Sequence, residues 1–164
     1  MRRPRTITAA GALAALLLLS VASMAFADLG EERQAYKVQV EPICKRNREA
    51  NERVLEGVKQ NIRGGKLKLA ASQFAKAATA LKKARNQLAA VPKPAADSAR
   101  LTKWLGYIKS EIELFERVSK KLKAGDKAKA QRMALLLTST VNKANNTVLP
   151  YEFRYCKVQT SQFL

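Results

Sequence analysis

Histidine is absent from the 164-residue chain. That removes the side chain that titrates closest to neutrality, and with it the commonest general base and metal ligand. Neither Cys-x-x-Cys nor Cys-x-x-Cys-His occurs, which excludes a thioredoxin-like redox pair and covalently attached haem. Glu111, Glu113 and Glu116 look like a carboxylate cluster, but a di-metal bundle of the ferritin type needs Glu-x-x-His pairs. Serine and threonine lack a neighbouring base to activate them as nucleophiles. Runs of β-branched residues with period two are missing, so no strand is expected. These absences leave no catalytic constellation, metal site or cofactor motif, and a non-enzymatic protein is expected.

What the chain has begins with a leader. Arg2, Arg3 and Arg5 give a positive start, an apolar run continues from Ala9 through Leu16–Leu19, and Ala25-Phe26-Ala27 offers small residues for cleavage. This three-part layout predicts a secretory signal peptide over residues 1–27 and a mature domain over 28–164. Retention as an uncleaved anchor is the alternative, because residues 6–27 approach the ~20 apolar residues of a span. Nothing further along could cross a bilayer, so no integral membrane span is expected once the leader is removed. A secreted or cell-envelope location follows.

The mature part predicts four helices. The first runs from about Glu31 to Ile62 and ends at Gly64-Gly65, with Pro42 either following a short first helix or opening a restarted one. The second spans Lys66–Val91 and stops at Pro92-Lys93-Pro94. The third starts near Asp97 or Ser98, both good N-caps, and ends at Lys123. The fourth starts at the N-cap Asp126 and runs to about Val148, before Pro150 and a tail from Tyr151.

Leu67, Phe74, Leu81 and Leu88 recur every seven residues, as do Ala70, Ala77, Ala84 and Val91. The third helix repeats the pattern through Leu101, Ile108, Phe115 and Leu122, with Leu105, Ile112 and Ser119 offset. Such heptads predict helices packed along apolar seams. Four of them joined by tight turns predict an all-α, antiparallel, up-down four-helix bundle. Trp104 and Tyr107 flank the seam as packing residues, and Asn47 and Asn51 face partly inward to set register.

Cys44 and Cys156 are the only cysteines. An even pair in an oxidising compartment is bridged more often than free. In an up-down bundle the start of the first helix and the end of the fourth lie side by side, so the bridge would close the bundle's open end.

The leader, the setting Glu41-Pro42-Ile43-Cys44 with Asn47 and Asn51 after it, and the segment Tyr151-Glu152-Phe153-Arg154-Tyr155-Cys156 resemble the small secreted two-cysteine helical proteins of actinobacteria. A glycine usual before the second cysteine of that group is replaced here by Phe153 or a neighbour. The resemblance implies a disulfide-closed helical fold and no catalytic residues.

The charge is strongly one-sided, with 31 basic residues against 13 acidic. Three of the basic residues lie in the leader, which leaves 28 against 13, or +15, on the mature part. From Gly57 to Ala96 there is no acid. Lys68, Lys76, Lys82 and Lys83 fall within about a third of the circumference of the second helix, opposite its seam, with Lys59 and Arg63 nearby in sequence. These six residues are the candidate site for an anionic polymer or lipid surface, set against simple solvation of an outward face. Too few arginines and aromatics accompany them for base stacking or sequence-specific nucleic-acid recognition. The second candidate function is a helical adaptor, or a self-associating bundle, using a hydrophobic groove. No cofactor is expected.

Overall fold

A computed structural model describes residues 13–158, with side chains from residue 29 onward. The described residues form a helical bundle without strands: α1 (Leu13–Leu55), a short α2 (Val58–Arg63), α3 (Leu67–Ala90), α4 (Ser98–Lys123) and α5 (Lys127–Thr147). Residues 1–12 of the predicted leader lie outside the described residues, and 13–27 are described only as helical backbone. No helix among the described residues is long and apolar enough to cross a membrane.

α1 is one helix where the sequence suggested a stop or restart at Pro42. Tyr36, Val40, Cys44, Asn51 and Leu55 are its buried residues, spaced at three- and four-residue multiples along one stripe. Pro42 stands on the exposed side. There its missing N–H removes one intrahelical bond, and the packed stripe on the other side holds the helix together.

The expected continuation to Ile62 does break, at Gly57, whose φ of 70° is the left-handed conformation that glycine adopts most readily. Gln73 of α3 accounts for the position of that break. Its side-chain amide donates to the carbonyls of Val54 at 3.0 Å and Glu56 at 2.8 Å, taking acceptors that a continuing helix would use. Asn61 of α2 completes the arrangement by donating to Gln73 Oε1 at 3.0 Å.

The heptads of α3 and α4 form the core as expected. Phe74 meets Phe115 with ring centroids 5.8 Å apart, and Ala70, Ala77, Leu81, Ala84 and Leu88 are buried. Ser119, the polar residue in the α4 seam, donates to the Ala71 carbonyl at 2.7 Å. Near the other end Arg85 Nε donates to the Leu105 carbonyl at 3.3 Å. Residue 71 therefore faces 119 and residue 85 faces 105, so α3 and α4 run in opposite directions. α4 packs in turn against α5, and α1 packs against α3.

Asp126 caps α5 as expected, accepting the Lys129 N–H at 3.0 Å. Asp97 does not cap α4. It is 4 % exposed and receives Arg33 Nε at 2.6 Å, Arg33 Nη2 at 3.1 Å and the Tyr151 hydroxyl at 2.9 Å. A buried carboxylate with a guanidinium in reach gains more from that charge-assisted pair than from capping a helix end.

The sulfurs of Cys44 and Cys156 are 2.00 Å apart, the disulfide expected from sequence. The tail that brings Cys156 to α1 turns at Glu152, whose φ of 49° is the one left-handed non-glycine conformation among the described residues. A glycine would adopt this conformation without a Cβ penalty. Phe153 then stacks on Tyr151 at 5.1 Å and packs on Trp104 at 5.7 Å.

Candidate functional site

Lys68, Lys76, Lys82 and Lys83 project from α3 into solvent, Arg63 is exposed on α2, and Lys59 is half-buried there. At 1.5 Å rise per residue, Lys68 and Lys83 stand about 22 Å apart, so the four lysines form a stripe rather than a cluster. The fold instead gathers other cations around the start of that stripe. The α2–α3 and α4–α5 turns adjoin, and Lys66, Lys68 and Lys123 surround a shallow depression there with Leu69, Gly65 and Gly125. Residues 58–69 and 117–132, which run through these turns, hold eleven Lys and Arg against the acid Asp126, with Glu56 and Glu116 just outside them. That acid is already engaged by Lys129, whose Nζ lies 3.0 Å away. Leu69 is 51 % exposed among these cations.

A second feature lies inside the bundle. α1 packs on α3 and α5 on α4, but no extensive packing joins α1 to α5 among the described residues. A cleft with a cavity of about 60 Å³ occupies the gap. This is space for about four to six waters at ~10–15 Å³ each. α1 contributes Asn47, Asn51 and Leu55 to its lining; Leu81 and Leu88 of α3, Trp104, Ile108, Glu111 and Phe115 of α4, and Leu137 and Val141 of α5 supply the rest of the interior.

The tail forms the remaining wall, from Tyr155 to Val158. Several polar contacts fix it in place. The Glu41 carboxylate accepts the backbone N–H groups of Arg154 and Tyr155, the latter at 2.9 Å. Asn145 donates to the Val158 carbonyl at 2.9 Å and accepts its N–H at 3.1 Å.

Two polar side chains in this apolar interior lack ordinary compensation. Glu111 is 3 % exposed, and burial pushes its carboxyl up to about 8, with no hydrogen bond or cation offsetting the desolvation. It is therefore neutral near pH 7, able both to donate and to accept. Asn51 is 9 % exposed; its Nδ2 donates weakly to Asn47 Oδ1 at 3.4 Å, while its own Oδ1 has no partner. An unmade hydrogen bond at a buried acceptor costs ~1–3 kcal/mol. Tyr36 is also buried without a partner for its hydroxyl, which burial pushes up to about 12, but it does not line the cleft.

Glu113 and Glu116 point outward, so the three glutamates suggested by sequence do not converge. Among the described residues no group of three His, Cys, Asp or Glu side chains could hold a metal ion. Glu111 stands alone as a neutral hydrogen-bonding group on an apolar floor. The signal for it was present in the sequence: it lies three residues after Ile108 and four before Phe115, beside both seam residues on the helix surface. Trp104, assigned to packing, both packs on Phe153 and lines the cleft.

No family model matches the chain, and no curated protein or solved structure matches it.

Proposed function

We propose that the protein works outside the cytoplasm, as a non-enzymatic up-down helical bundle that attaches to anionic polymer or lipid surface through its basic end. One observation carries this reading: the junction of the two turns, where Lys66, Lys68 and Lys123 meet around an exposed Leu69. The solvated-face alternative expects the lysines to scatter, whereas Lys68 meets Lys123 of α4 here, and Asp126, the acid between these turns, is already paired. Near an anionic bilayer each lysine contributes about 1 kcal/mol, and the attraction fades within a Debye length. The lysine stripe Lys76, Lys82 and Lys83 would extend the same surface along α3. Export through the leader, and kinship with the small two-cysteine secreted proteins of actinobacteria, belong to this proposal and are supported by the leader pattern and the disulfide.

Co-sedimentation of residues 28–164 with vesicles tests it. Binding to vesicles rich in phosphatidylserine at low salt, lost at high salt and weakened by Lys66→Glu with Lys123→Glu, is the expected result. Equal partition onto neutral and anionic vesicles, or none at low salt, overturns it.

A second reading rests on Leu135 and Leu136, adjacent on α5 and 66 % and 49 % exposed. They would serve the adaptor or self-associating function. Sedimentation velocity on wild type and Leu135→Ser decides it, since a monomer at every concentration counts against self-association.

A further inference from the structure

We propose that the cleft between α1 and α5 binds a slender, mostly apolar molecule ending in a neutral hydroxyl, which Asn51 and Glu111 receive. The inference is independent of the basic end. Its shape comes first. α1 lines the cleft from Cys44 to Leu55 and α4 from Trp104 to Phe115. Eleven steps of 1.5 Å rise give each wall a length of about 16 Å. A cavity of about 60 Å³ is small, with room inside for the end of an alkyl chain rather than a fused ring system.

The walls set the chemistry of the body of the ligand. Leu81, Leu88, Ile108, Leu137 and Val141 offer only hydrocarbon. Burial of each methylene there is favourable by ~0.8 kcal/mol.

The two uncompensated polar groups set the chemistry of its end. Asn51 Oδ1 is an acceptor without a donor. Glu111 lines the same cleft, is 3 % exposed, and burial favours its protonated form. A hydroxyl is donor and acceptor at once, so it suits an unpartnered acceptor such as Asn51 Oδ1 and a protonated carboxyl such as Glu111 alike. An alkane satisfies neither. A carboxylate leaves the Asn51 acceptor facing like charge and is drawn instead to Arg48 and Lys157 on the lining, and an ammonium leaves the acid proton of Glu111 without an acceptor unless that proton is lost.

The chain has one tryptophan, Trp104, and it lines the cleft, which provides the readout. Oxidised residues 28–164 are titrated with 1-octanol, octane, octanoate and octylamine while Trp104 emission is followed. A saturable change with 1-octanol at the lowest concentration is expected. Asn51→Leu and Glu111→Leu should each weaken it about tenfold, one hydrogen bond's worth. Glu111→Gln keeps a donor and an acceptor and should bind within a factor of three of wild type. Ala144→Leu, which fills the cleft from α5, should abolish the response. Circular dichroism confirms folding of each variant; if the leucine variants do not fold, the four-probe series and Glu111→Gln decide. No saturable response to 1-octanol, tighter binding of octane, octanoate or octylamine, or unchanged affinity in the folded leucine variants overturns the assignment.

Discussion

Oδ2 of Asp97 receives both the Tyr151 hydroxyl, at 2.9 Å, and Arg33 Nε, at 2.6 Å. One carboxylate thereby ties the α3–α4 link to α1 on one side and to the C-terminal turn on the other. Arg33 also lies over the Tyr151 ring, 5.9 Å from its centroid. The hydrogen bond from Arg33 holds the Asp97 carboxyl below the usual carboxylate range, against the opposing effect of burial.

Asp97→Asn should therefore destabilise the fold by about 2 kcal/mol in urea titrations at pH 7. That is less than the ~3–5 kcal/mol typical of breaking a fully buried pair, because Arg33 can turn to solvent. The pH dependence has a definite sign. With its pKa lowered in the fold, Asp97 stays charged in the native state while the unfolded chain takes up a proton, so its contribution is lost as pH falls below about 4. The Asn variant should lose less stability than wild type between pH 5 and pH 3.

Glu111 should act in the opposite direction and in a different window. Its carboxyl titrates near 8 in the fold and near 4.5 in the unfolded chain. Between those values the native state holds a proton that the unfolded state has released, so stability falls as pH rises from about 4.5 to about 8. The charged groups lining the same cleft are Arg48, Glu52 and Lys157, and none offsets this desolvation. Glu111→Gln should flatten that slope and leave the variant more stable than wild type by a few kcal/mol at pH 9. Unchanged slopes in paired thermal melts would show that Glu111 is not buried as described.

The helical seams were readable from sequence because they depend only on local spacing. Leu67, Phe74, Leu81 and Leu88 must share a face in any helix, and α3 and α4 then bury those faces together. Cys44 and Cys156 were readable for a related reason, since two cysteines allow one pairing. The break at Gly57 was not readable, because glycine inside a helix costs only ~1 kcal/mol and proves nothing by itself. What decides it is Gln73, which reaches back across the turn to the Val54 and Glu56 carbonyls. Asp97 carries an equally good signal for an N-cap, and only the approach of Arg33 from 64 residues away overrides it. The cleft depends on the spacing of α1 from α5, which no local pattern encodes.

The disulfide spans 112 residues of sequence. In the chain-entropy account, a loop of that size restricts the unfolded chain by about 4–5 kcal/mol. Cys44→Ser with Cys156→Ser should lower stability by that order in guanidinium titrations. Thiol titration of the denatured, unreduced protein should find no free thiol.

Glu152 should be improvable. A non-glycine residue in the left-handed region costs ~1–2 kcal/mol, part of which glycine returns as extra freedom in the unfolded chain. Glu152→Gly should stabilise the fold by about 0.5–1 kcal/mol, raising the melting temperature by a few degrees, because the side chain it removes is exposed. A lower melting temperature would mean that the carboxylate has a role the fold does not reveal.

The direction of α1 has a consequence for how the molecule could be moored. Arg33 meets Asp97 at the start of α4, whereas the lysine-rich turns gather where α4 ends, 25 residues and about 37 Å of helix further on. Whatever chain precedes Arg33 therefore departs from the pole remote from those turns. A molecule tethered by that segment would hold its cationic pole away from its own bilayer, free to meet a facing layer. One released from it could settle on either.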